Sequence, residues 1–96
     1  MNFSSIFRQK DNIVTRQIAG ETILVPISRR TDEMQRIFAL NPAAEYIWQQ
    51  LDGSRSLEEI RSGLVDQFQV ETGQAAADTQ DFVLQLQQAG VIEEVT

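Results

Sequence analysis

The sequence predicts an α+β domain in which a three-stranded antiparallel sheet is followed by three helices. Three observations predict it. Ahead of Asn41 the apolar residues gather in short runs rich in β-branched side chains. Beyond Asn41 they recur at helical spacing, as in Ala43, Ala44, Ile47, Trp48 and Leu51. The two regimes meet at Asn41-Pro42, where Asn is a preferred N-cap and Pro suits a first helical position that has no use for its N–H.

Taken in order, residues 1–12 show no clear periodicity and are expected to be a flexible N-terminal segment, with residues 13–96 forming the domain. IVTRQI (residues 13–18) and TILVPI (residues 22–27) predict a hairpin closed by Ala19-Gly20-Glu21. Pro26 cannot donate to a ladder, which places it at a strand end or a bulge. After the polar loop of residues 28–34, residues 35–40 form the third strand. Ile37 and Ala39 alternate with Phe38 and Leu40, so one pair faces the core and the other the open side; the pattern leaves open which.

The first helix is expected over residues 42–51, with Gly53 placed to take a left-handed C′ position. Ser56 and Glu59 form a capping box ahead of a second helix whose inner face carries Leu57, Ile60, Leu64 and Phe68. The third helix is expected over residues 74–89, with Ala75, Thr79, Phe82, Leu86 and Ala89 inward and Gly90 ending it. Val91-Ile92 then straps back onto the core. Trp48, Phe82 and Leu86 are most simply core residues, and Leu84 falls on the opposite face from Phe82.

Ninety-six residues make one small domain. The chain has no Cys and no His, which removes disulfides, thiolate chemistry, and the commonest general base and metal ligand. No Gly-rich phosphate loop appears, and Glu58 and Glu59 are explained as helix-start residues, so no enzyme activity, cofactor or metal is expected. No apolar run approaches the ~20 residues of a membrane span, and the N-terminus has no apolar signal region, so a cytoplasmic location is expected. Charge is uneven. Residues 1–61 hold eight cations and eight anions, and the net charge of −6 sits wholly in residues 62–96. That opposes nucleic acid or an anionic membrane as a partner of the C-terminal third.

Three short helices with a tight turn between the second and third suggest a winged-helix-like domain. A DNA-reading third helix would offer Asp78, Gln80, Asp81, Gln85, Gln87 and Gln88, with nothing to neutralise phosphate and two carboxylates to repel it. The pattern L-N-P-A-A-x-x-I-W-x-x-L-D-G-x-x-S-L-x-E-I over residues 40–60 instead resembles the PqqD-like family. The tail D-x-x-x-F-x-x-x-L-x-x-x-G-V-I, from Asp78 to Ile92, and G-E-T-I-L-V-P over residues 20–26 fit the same pattern. Pro26-Ile27 departs from the Pro-Glu-like pair of the member that acts in making pyrroloquinoline quinone. The resemblance implies a three-stranded sheet with three helices. It also implies a role as a recognition element for ribosomally made precursor peptides. Such elements bind the leader segment and present it to a modifying enzyme, often a radical-SAM protein. The peptide adds as a strand to the third strand, beside the third helix.

Carried onto this chain, the peptide-binding candidates are Arg36, Ile37, Phe38, Ala39 and Leu40 on the strand, with Asp78, Asp81, Phe82, Gln85 and Gln88 on the helix. Strand addition is physically reasonable, because an open sheet edge is a template for another strand. Five or six added backbone hydrogen bonds, each worth roughly 0.5–1.5 kcal/mol net, give modest affinity, so specificity falls to side chains. With no cation on the third helix, the leader is expected to bring Lys, Arg or polar donors. An adaptor that contacts the enzyme alone is the competing reading. The open edge and Leu84 also allow a homodimer.

Overall fold

The computed structural model describes residues 2–27 and 37–95. Six strands and three helices appear in the order β1 (Ile6–Gln9), β2 (Ile13–Ile18), β3 (Glu21–Pro26), β4 (Phe38–Leu40), α1 (Pro42–Gln50), β5 (Asp52–Ser56), α2 (Leu57–Phe68), α3 (Thr72–Ala89) and β6 (Ile92–Glu94). The predicted three-stranded antiparallel sheet is β2-β3-β4, and the three helices follow it. A second antiparallel sheet, ordered β5-β1-β6, has no counterpart in the expected βββααα arrangement.

The β2–β3 hairpin turns at Ala19-Gly20, both at positive φ (52° and 83°), as a two-residue connection between twisted strands requires. Pro26 closes β3 opposite Ile13, where its missing N–H disturbs no interior bond. β3 pairs with β4 in the register Thr22–Leu40, Ile23–Ala39 and Leu24–Phe38. Thr22, Leu24, Phe38 and Leu40 are buried under the helices, whereas Ala39 and Ile37 face the open side, Ile37 with 61% of its surface exposed. The packing settles which residues of the third strand turn inward. Gln35 and Arg36 lie outside the described residues.

The helix caps follow the sequence closely. Asn41 Oδ1 accepts from the Ala44 N–H at 2.8 Å, with Pro42 as the first helical residue. The capping box at α2 is complete: Ser56 Oγ accepts from the Glu59 N–H and the Glu59 carboxylate accepts from the Ser56 N–H. Gly90, at φ 72°, caps α3 with bonds back to the Gln87 and Leu86 carbonyls. Two expectations need correction. α1 ends at Gln50 with Leu51 as its C-cap, and Gly53 serves not as its cap but as a residue of β5, where φ is 85°. α3 begins at Thr72, two residues ahead of the expected start, and Asp78 and Asp81 lie beyond its first turn.

The leading segment also differs from expectation. Ile6–Gln9 is the central strand of the second sheet, paired with β5 on one side and β6 on the other. Phe7 is 2% exposed and joins the core with Trp48, Leu51, Leu57 and Ile92. Arg61 stacks over the Phe3 ring, with the guanidinium carbon 5.2 Å from its centroid. IFRQ has too few residues for its alternation to stand out, and its strand partners are themselves short and polar.

Candidate functional site

β4 is the last strand of its sheet, and among the described residues no strand covers its outer edge. α3 packs beside it. Phe38 of β4 meets Phe82 of α3 edge-to-face, with ring centroids 6.4 Å apart. Leu40 ends the strand buried, and the chain passes through Asn41 directly into α1. The start of α1 is thereby brought against the same face of α3. A cavity of ≈ 220 Å³ lies between them, lined by Asn41, Ala43, Ala44 and Ile47 on one side and Asp78, Asp81, Phe82 and Gln85 on the other.

Of the residues singled out in the sequence, Asp78, Asp81, Phe82 and Gln85 thus converge on one concavity. Phe38 and Leu40 support it from within the core, and Ile37 and Ala39 lie on the open face of the sheet. Gln88 is exposed and lies outside the cavity lining. Arg36 falls outside the described residues. Sequence reasoning missed the α1 wall. Its signal was present in Ala43-Ala44, two small side chains ahead of Ile47, which leave room where helices of larger residues would close up.

The wall residues are fixed by structure around them. Ile47 is 1% exposed and Phe82 9%, so both form the floor. Asn41 is held by its capping bond. Asp78 accepts from the Gln74 side-chain amide at 2.8 Å, one turn earlier on α3. Asp81 is exposed. Neither carboxylate has an ion-pair partner among the described residues. A second concavity, of ≈ 350 Å³, opens on the other side of α3, where Gln80, Leu84 and Gln87 face Asn2, Ser5, Phe7 and Glu94. Leu84, 38% exposed, lies on that side and not in the β4 groove. No described helix is long and apolar enough to cross a membrane.

An α+β domain with an open strand edge laid along a helix is the class of structure this defines. The chain belongs to the PqqD family: the family model described as coenzyme PQQ synthesis protein D matches residues 21–92. Comparison with curated proteins gives no match. Among solved structures, the chain is similar to one titled TbiB1 in complex with the TbiA(beta) leader peptide. That likeness has a TM-score of 0.70 and 22% sequence identity, covering 90% of this chain and 94% of the other. At that identity it supports the fold.

Proposed function

We propose that this protein binds the leader segment of a ribosomally synthesised precursor peptide and presents it to a modifying enzyme, of radical-SAM type in the first instance. The peptide adds as a strand to the outer edge of β4 and lies between that edge and α3. The protein acts as a cytoplasmic peptide chaperone with no catalysis of its own. The observation that carries this reading is the placement of β4: an end strand, joined to α3 through Phe38 and Phe82, with a concavity where it runs into α1. Membership of the PqqD family supports it, as does likeness to a structure solved with a leader peptide.

The three described residues of β4 can supply only part of the five or six bonds expected from sequence. At roughly 0.5–1.5 kcal/mol net apiece, they leave side chains in the groove to contribute much of the affinity. A dissociation constant near micromolar, about −8 kcal/mol, is the expected result. The test is an NMR titration of the isotopically labelled chain with leader-length peptides encoded beside its gene. Amide shifts should concentrate in residues 37–40 and 78–85. N-methylation of alternate peptide bonds should abolish them when the methyl falls on the face toward β4. Shifts with the neighbouring enzyme alone, and none with any peptide, would establish the adaptor reading instead.

A further inference from the structure

The concavity beside β4 has a composition that specifies more than a peptide backbone. Its ≈ 220 Å³ is smaller than the roughly 300–1,000 Å³ of small-molecule sites, a size suited to one side chain rather than a cofactor. Ala43, Ala44 and the buried ring of Phe82 give it apolar walls. Asp78 and Asp81 also line it, three residues apart on one face of α3. Both stand beyond the first turn, where the helix dipole no longer accounts for them. Neither α1 nor α3 contains a single Lys or Arg, and among the described residues neither aspartate is ion-paired.

A wholly apolar side chain seated here would strip water from two carboxylates and return nothing to them. A compact polar one would leave the apolar walls unfilled. A long aliphatic stem ending in a cation satisfies both, with the stem on the alanines and Phe82 and the head at the aspartates. We infer that this cavity takes the side chain of a lysine or arginine of the bound precursor, at the peptide position beside the Leu40–Asn41 end of β4. The inference rests on strand addition at β4 and adds a side-chain requirement to it.

The experiment is selection of random dodecapeptides displayed on phage against the full chain, run in parallel on an Asp78→Asn/Asp81→Asn variant whose amide spectrum away from the cavity serves as the fold control. Aligned wild-type selectants should carry Lys or Arg at one fixed position, and the variant should lose that enrichment. An Asp81→Lys chain should favour Asp or Glu there. In one synthesised selectant, replacing the cation by norleucine should weaken binding about fivefold on wild type, as for an incompletely buried ion pair, and leave binding to the double variant unchanged. The difference should shrink in high salt. Selectants that shift the amides of residues 37–40 without a cation preference would overturn this inference and leave strand addition standing. Selectants that shift none of those amides, or a failure to select any peptide, would count against strand addition itself, and the cation site would fall with it.

Discussion

Gly63 sits in the interior of α2, where glycine is unfavourable by ~1 kcal/mol relative to alanine, and its neighbour explains it. A Cβ built at Gly63 would run into the Tyr46 hydroxyl and come within 3.1 Å of the ring carbon that bears it. The glycine therefore lets α1 and α2 approach with Tyr46 between them, its ring edge-on to Phe68 at 5.9 Å. Gly63→Ala gains helix propensity but overpacks this contact, which typically costs ~1–3 kcal/mol. A net loss of about 1 kcal/mol in urea unfolding is expected. In a Tyr46→Phe background, where the hydroxyl is gone, the same substitution should cost distinctly less. An equal loss in both backgrounds would show that the tyrosine is not the obstacle.

At the scale of elements, legibility tracked how local the cause was. Asn41-Pro42 and the Ser56/Glu59 capping box were readable because each completes its bonds within a few residues. The inward face of β4 was not, because Phe38 and Leu40 acquire a core only when α3 packs over them. β5 was invisible for another reason: DGSRS has no strand propensity, and its shape comes from an aspartate turn. Asp52 accepts from the Ser54 hydroxyl at 2.6 Å and the Ser54 N–H at 3.0 Å, and it pairs with Arg55 at 2.5 Å. Gly53, between them at positive φ, approaches Arg8 where the β1–β5 register shifts. The Ser54 hydroxyl first, then its N–H, hold the Asp52 carboxyl below its ordinary pKa, with the Arg55 charge adding to them against some desolvation. Because the folded value is the lower one, the turn's contribution is fully present above the unfolded pKa of ~3.9 and is lost as pH falls through the folded value. A carbon-detected titration should place the Asp52 midpoint below that of an unfolded aspartate. Ser54→Ala should raise it; no change on removing the hydroxyl would refute this ordering of causes.

For the whole molecule, the two sheets divide the work. β2-β3-β4 presents the open edge, and β5-β1-β6 ties the beginning of the chain to its end. β1 pairs with β6 through Phe7–Glu94, Arg8–Glu93 and Gln9–Ile92. The N–H of Val95 bonds to the Ile6 carbonyl, and the N–H of Lys10 to that of Val91. The Arg8–Glu93 pair, at 2.6 Å, is more than 40% exposed on both sides and adds at most ~1 kcal/mol. The larger share comes from Phe7, whose ring is buried in the common core. Phe7→Ala should cost ~3–5 kcal/mol, a large fraction of the ~5–15 kcal/mol that holds a domain of this kind together. Arg8→Ala should cost no more than ~1 kcal/mol. Urea unfolding of the two single variants decides between a loose leader and a structural strand. A Phe7→Ala chain as stable as wild type would return residues 2–9 to the status of an unattached tail. If instead stability falls as expected, while peptide affinity measured well below the unfolding midpoint stays near wild type, β1 supports the fold without belonging to the binding edge.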